Sequence, residues 1–241
     1  MNEVIGTIPL SNLALAMVPV LIVLAVLYRW SMGVGNAVYA VVRMLVQLLM
    51  IGYLLTYIFA SDSQWVVVAI LLVMVMVASW IALQTVSGQR RRLLYRYALV
   101  SVALGGGSVL ILMTEGVLTV DPWYQPSQLI PLAGMAFANA MNSVALAAER
   151  MESEVERGVA YLEARVIALR AAMIPVINSL FAVGLVSLPG MMTGQILSGV
   201  SPLIATRYQI MVMCMIFGSA GITTALFLSL ARKAYQAQQR A

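Results

Sequence analysis

Apolar residues in this chain come in long runs, and charged residues come in short clusters between them. The long intervals between charges run from Glu3 to Arg29, from Arg29 past Arg43 to Asp62, from Asp62 to Arg90, from Arg96 to Glu115, from Asp121 to Glu149, from Arg170 to Arg207 and from Arg207 to Arg232. Most approach the roughly 20 residues that a helix needs to cross about 30 Å of hydrocarbon. An ionised group at the bilayer centre costs at least about 2.5–3.5 kcal/mol, so these intervals act as a ruler for spans. Strands of a membrane barrel would alternate polar and apolar residues, whereas WVVVAILLVMVMVASWIAL is apolar on every side. The pattern predicts an all-α integral membrane protein with seven transmembrane helices, at 10–28, 36–59, 65–84, 97–117, 128–147, 171–198 and 208–230. Together they make a single transmembrane domain over 1–241.

Composition agrees with that reading. Of 241 residues, 62% are hydrophobic and 10% charged, against roughly 25% charged in a soluble domain. No water-soluble core hides so much apolar surface, and the expected location is the inner (plasma) membrane. The first apolar run is preceded by Glu3 and no basic residue, so it is expected to stay as a span rather than be cleaved as a signal peptide. Cys214 is the only cysteine, which excludes an intrachain disulfide and suits a small core hydrophobe.

Charge sets the expected orientation. Arg29, then Arg90, Arg91, Arg92 and Arg96, then Arg232, Lys233 and Arg240 fall on one side if the helices alternate, while Glu3, Asp62, Glu115 and Asp121 fall on the other with Arg207. The positive-inside rule makes the arginine side cytoplasmic, which puts the N-terminus outside and the C-terminus inside. The stretch from Arg170 to Arg207 is too long for one straight crossing. It contains Pro175, Gly184, Pro189, Gly190, Gly194, Gly199 and Pro202, so a break near SLPGMM followed by a re-entrant or interfacial segment is expected; a two-span hairpin would reverse the C-terminal charges. Pro175, Pro189, Gly190 and Gly194 are the candidate hinge or break positions. Gly105, Gly106 and Gly107, inside the fourth span, are expected to allow close packing or a hinge, not to hold phosphate.

Residues 149–170, ERMESEVERGVAYLEARVIALR, form the one sizeable polar segment. Met151, Val155, Val159, Leu162, Val166 and Leu169 recur at spacings of three and four, predicting one amphipathic cytoplasmic helix between spans five and six. It either lies on the membrane or extends the neighbouring spans, or it docks into an ATPase. Under the docking reading Glu152, Glu154, Glu156, Arg157 and Gly158 are the coupling candidates. No G-x-x-x-x-G-K-[ST] loop occurs in the chain, so it holds no Walker-type nucleotide site of its own.

Polar side chains inside spans are costly enough to be functional candidates. Arg43 and Gln47 are four apart, Asn139 and Asn142 three apart, and Asn178 lies on the sixth span. These five either line a substrate pathway from the cytosol or serve more simply, Arg43 by snorkelling and the asparagines by bonding between helices. Seventeen methionines suit soft-metal ligation in principle, Met191 and Met192 most of all, but adaptable packing is the simpler use. With no histidine and no Cys/carboxylate cluster within the spans, a tight metal site and intramembrane catalysis are both disfavoured.

The segments VVRMLVQLLMIGYLL, PLAGMAFANAMNSVALAAER and RAAMIPVINSLFAVGLVSLPGMMTGQILSGVSPLIATRYQI resemble the FetB family of ABC transporter permeases, which includes bacterial iron-export permeases and plant aluminium-sensitivity proteins. LPGMMTGQILSG, with Pro175 and Asn178 upstream, is the most specific block; Ala138 stands where the family's Gly-Asn-x-Met-Asn pattern has glycine. The resemblance implies a permease homodimer that pairs with a separate ATPase subunit and exports iron, easing oxidative stress, with ATP and Mg bound by that partner and no cofactor or nucleic acid by this chain. The alternative is an ion-coupled secondary transporter or channel acting without an ATPase, against which stands the lack of Asp or Glu in the interior of the spans, Glu115 standing at the end of the fourth.

Overall fold

The computed structural model describes residues 9–61, 63–86 and 88–239. Glu3, Asp62 and Arg240, used above for orientation, lie outside the described residues. The chain divides into two compact units, one ending at Ala60 and the other beginning at Ser61.

The first unit holds α1 (Leu10–Leu15), α2 (Val18–Arg29) and α3 (Val34–Phe59). Pro19 falls in the first turn of α2, where its missing N–H would have no helical partner anyway. Residues Ser11–Arg29 and Val34–Phe59 are long and apolar enough to be the first two spans.

In the second unit, α4 (Gln64–Ile81) leads into a long span built of α5 (Gly88–Ser101), a π-helical stretch at Val102–Gly106, α6 (Gly107–Ile111) and a second π stretch at Leu112–Val117. There follow α7 (Pro126–Glu156), α8 (Tyr161–Ala182), α9 (Gly190–Leu197), α10 (Pro202–Leu230) and α11 (Arg232–Gln239). Among the described residues, seven helices have the length and composition to cross a membrane. Among the described residues there is no strand, only an isolated bridge between Val183 and Ser187.

Helices α7 and α10 form the centre of this unit, with α4, α8 and the α5–α6 span packed around them. Their contacts make two apolar layers. One contains Val75, Val102, Leu110, Ala133, Ala136, Phe137, Val212 and Met215. The other contains Leu94, Met151, Phe227, Leu228 and Tyr235, together with fully buried Ala147, Ala148, Ala164, Ala168 and Ala172. Between helices in lipid, where hydrophobic burial gives little drive, such small residues favour association by letting backbones approach closely.

Three expectations need correction. Residues 149–170 are not one helix: α7 continues to Glu156, the chain turns, and α8 starts at Tyr161. Gly158, at φ +80°, supplies the left-handed residue that ends α7, and Val159 N donates to Glu154 O at 3.0 Å. The turn resets the helical phase, so Met151 and Val155 are buried while Leu162 and Val166 of the same sequence stripe are exposed. The segment therefore extends its two neighbouring spans.

The sixth span is Tyr161–Ala182, not 171–198, and Pro175 does not break it. A proline costs a helix one backbone hydrogen bond and some steric strain, and here the helix continues on both sides. The break comes later, at 183–189, where Gly184 has φ +82°. Pro189 caps α9, Gly190 is its first residue and Gly194 lies inside it. With 8 residues, at 1.5 Å each, α9 is too short to cross a bilayer, so no two-span hairpin forms.

Finally, Arg90–Arg96 are helical rather than loop residues. Arginine is a good helix former, and its long stem lets the head reach water from the end of a span. The short helix α11, not expected from the pattern, folds back so that Tyr235 is buried in the alanine-rich layer.

Candidate functional site

Halfway along α7, Asn139, Asn142, Ser143 and Leu146 face Ala172, Pro175, Val176 and Ser179 of α8 across a groove of about 130 Å³. The spacing of three to four residues puts the α7 group on one helical face. Opposite it, buried Ala172 leaves room, and Pro175, lacking an N–H, leaves the Ala171 carbonyl without its helical partner. Asn139 Nδ2 donates to Met135 O at 2.8 Å, which leaves its Oδ1 as an acceptor; Ser179 Oγ donates to Val176 O at 2.7 Å.

The groove is thus lined with neutral oxygens and no carboxylate or thiol. Among the described residues there is no cluster of three His, Cys, Asp or Glu side chains. Amide and hydroxyl oxygens replace part of a solute's hydration without trapping it, which suits passage rather than storage. Asn178 is exposed and does not line this groove. Arg43 and Gln47 lie one turn apart on α3, in the first unit. Met192 joins Met213, Cys214, other apolar residues and the polar Thr206 and Gln209 in the wall of a separate cavity of about 570 Å³ between the end of α8, the 183–189 turn, α9 and α10.

At the end of the unit where α4, α7 and α10 finish, charge is organised around the α7–α8 turn. Arg90 Nη1 lies 3.4 Å from Glu152 Oε1 and ties α5 to α7. Glu154, buried at 2% exposure, receives Arg150 Nη2 at 2.5 Å and Arg157 Nη1 at 3.4 Å. Tyr161 Oη donates to the Leu228 carbonyl and ties α8 to α10. Burial pushes the Tyr235 phenol well above its ordinary range, and the carboxylate of Glu152 adds to that.

Of the coupling candidates, Glu152 and Glu154 point inward and brace the turn, while Glu156, Arg157 and Gly158 form its exposed rim beside exposed Leu162. The braces Arg90 and Tyr161, and the buried Tyr235, are not evident in the sequence. Arg150 is: it precedes Glu154 by one helical turn.

Gly105 packs tightly in the middle of its span. A β-carbon there would stand 2.5 Å from Thr223 Oγ1 and 2.7 Å from Thr223 Cα. At Gly106 the nearest atom would be Phe137 Cδ1 at 3.0 Å, and Gly107 faces open space.

Seven apolar helices among the described residues, with the membrane-protein relatives that follow, make this a multi-pass protein of the inner membrane. The chain belongs to the family described as "Uncharacterised protein family (UPF0014)", whose model matches residues 10–168 and 157–235. It is 34% identical over 207 residues to "UPF0014 membrane protein slr1647" of Synechocystis, covering 79% of each chain. It is 30% identical over 250 residues to "Probable iron export permease protein FetB" of Escherichia coli, covering 95% of this chain and 93% of that one. With "Protein ALUMINUM SENSITIVE 3" of Arabidopsis thaliana it shares 33% identity over 244 residues, covering 91% and 87%. These relatives bear out the resemblance carried by the asparagine and LPGMMTGQILSG blocks. No solved structure matches the chain.

Proposed function

We propose that this chain is the membrane permease subunit of an ABC transporter, exporting iron or another metal or small solute from the cytosol with ATP hydrolysed by a separate subunit. The observation that carries this reading is the α7–α8 turn. It is exposed at Glu156, Arg157 and Gly158, yet fixed from within by the Arg90–Glu152 and Arg150–Glu154–Arg157 contacts. A braced protrusion between two spans transmits a push from a bound ATPase to the groove that the same two helices enclose, whereas a loose loop would absorb it.

The arginine-rich end is then cytoplasmic, by the positive-inside rule. Two permease copies and two ATPase subunits would make the working complex, with ATP and Mg held by the ATPase alone. Substrate enters from the cytosol, is solvated by the oxygens of Asn139, Asn142 and Ser143, and leaves on the far side when α7 and α8 are displaced. The relative named as a probable iron export permease supports the direction and the cargo.

Purification in mild detergent tests this: the chain is expected to retain an ATPase subunit, and Glu156→Arg with Arg157→Glu to lose it without losing the fold. Robust transport by the purified chain alone in liposomes would replace this reading with an ATPase-independent carrier.

A further inference from the structure

Unlike Arg90, the α5 residues Arg91, Arg92 and Arg96 have no role in the turn or the groove, and their surroundings describe a different ligand. Arg91 stacks on Trp80 with its guanidinium carbon 3.9 Å from the ring centroid, and its Nη2 donates to Trp80 O at 3.0 Å. Tyr95 meets the same indole edge-on at 5.7 Å, and its hydroxyl donates to Met76 O at 3.3 Å. Arg96 lies over Tyr97 at 4.8 Å and donates to its hydroxyl at 2.9 Å. Arg92 and Arg96 are exposed and one helical turn apart, about 6 Å along the axis.

None of Arg91, Arg92 and Arg96 lies within 4.0 Å of a carboxylate among the described residues; the ion pairs there involve Arg90, Arg150 and Arg157. Three cations thus stand together with their charge unanswered by the protein. The same side of the helix then changes character. Four and eight residues beyond Arg96 come Val100, 43% exposed, and Leu104, 59% exposed, followed by Ile111 and Leu112 at 63% and 59%. Trp80 and Tyr95, amphipathic rings suited to the membrane–water boundary, mark the level at which the change occurs.

We propose that Arg92 and Arg96, with Arg91 held beside them by Trp80, bind the phosphate headgroup of an anionic phospholipid whose acyl chains lie along Val100 and Leu104. Two guanidinium groups one turn apart bracket one phosphate, and arginine recognises phosphate oxygens through paired N–H donors. A soluble partner would meet the arginines but not the apolar stripe below them. The fixed Trp80–Arg91–Tyr95 cluster sets the depth at which the headgroup sits.

The test uses the full chain with Trp30→Phe, Trp65→Phe and Trp123→Phe, which leaves Trp80 as the reporter, in vesicles carrying acyl-brominated phosphatidylglycerol or phosphatidylcholine. Quenching of Trp80 is expected to favour the anionic lipid by on the order of 10-fold in relative association. Arg92→Gln with Arg96→Gln is expected to bring that ratio to about 1, and Arg92→Lys with Arg96→Lys to retain most of it. If the double glutamine variant does not insert, each single variant is expected to give an intermediate ratio. Equal quenching by the two lipids in the parent, or an unchanged ratio in the glutamine variants, overturns the proposal. So does loss of the preference on adding inorganic phosphate at constant ionic strength, which assigns the site to free phosphate.

Discussion

Gly105 stands so close to Thr223 that a β-carbon on it would lie 2.7 Å from the threonine Cα and 2.8 Å from its amide nitrogen. The obstructing atoms are backbone, which cannot rotate away. Gly105→Ala is therefore expected to destabilise the purified protein by about 1–3 kcal/mol, the cost of overpacking a filled interior. Gly107→Ala faces open space and is expected to be neutral or to stabilise by up to about 1 kcal/mol through helix propensity. Gly106→Ala should fall between them, since Phe137 can give a little. Thermal denaturation in detergent ranks the three.

Glu154 is the buried partner of two arginines whose side chains are 41% and 67% exposed. Removing the carboxylate leaves a hole and an unpaired Arg150, while removing Arg157 takes away only a screened contact. Glu154→Ala is expected to cost about 1–2 kcal/mol and Arg157→Ala less than about 1 kcal/mol. The order reverses when retention of the ATPase subunit is measured, because Arg157, not Glu154, faces outward. Denaturation and co-purification of the same two variants check both halves.

The phenol of Tyr235 is buried, has no hydrogen-bond partner for its oxygen among the described residues, and is held above its ordinary pKa. A group whose folded pKa is raised contributes stability below its unfolded pKa and loses it as pH rises. The loss here begins near pH 10, the ordinary tyrosine value. Tyr235→Phe is expected to keep or improve stability at neutral pH, since it removes an unsatisfied buried hydroxyl, and to flatten the decline above about pH 10. Denaturation midpoints from pH 7 to 11 for the two proteins provide the comparison.

Asn139 and Asn142 to leucine fills the groove with methyl groups and removes two amides that tertiary packing does not require, one half-buried and one exposed. The double variant is expected to insert and fold, and to lose transport by on the order of tenfold or more in vesicles carrying the complete complex. Unchanged transport by a folded variant removes both residues from the pathway.

Topology is read with single cysteines in a Cys214→Ser background. Arg157→Cys is expected to resist membrane-impermeant maleimide in intact cells and to react in inverted vesicles. Leu185→Cys, in the turn at the opposite end of α8, is expected to do the reverse. Labelling of Arg157→Cys from outside would invert the orientation and remove the proposed docking surface.

The number and nature of the spans were legible because hydrocarbon imposes one rule on every crossing, and the gaps between charges record it. The ends of the spans were less so. Arg90 and Glu149 mark where charge begins, but arginine and glutamate are good helix formers, so α5 and α7 carry them as helix rather than loop. The turn at Gly158 was obscured by a stripe that keeps helical spacing across it; only a left-handed glycine separates the halves. Pro175 looked like a break and is not, because the neighbouring packing retains the helix. For the groove, the pairing of Asn139 with Asn142 followed from spacing, but its closure by Pro175 and Ser179 came from a second helix whose register the chain does not spell out.

The alanine seam between α7 and α8 limits how any motion reaches that groove. Methyl groups have no rotamers, so Ala147, Ala148, Ala164, Ala168 and Ala172 offer no alternative side-chain arrangement into which the two helices might settle. The pair must travel as one stiff hairpin or slide along a nearly smooth track. A larger side chain at Ala168 would jam the slide while sparing the turn at its tip, which separates movement of the lever from attachment of whatever pushes it.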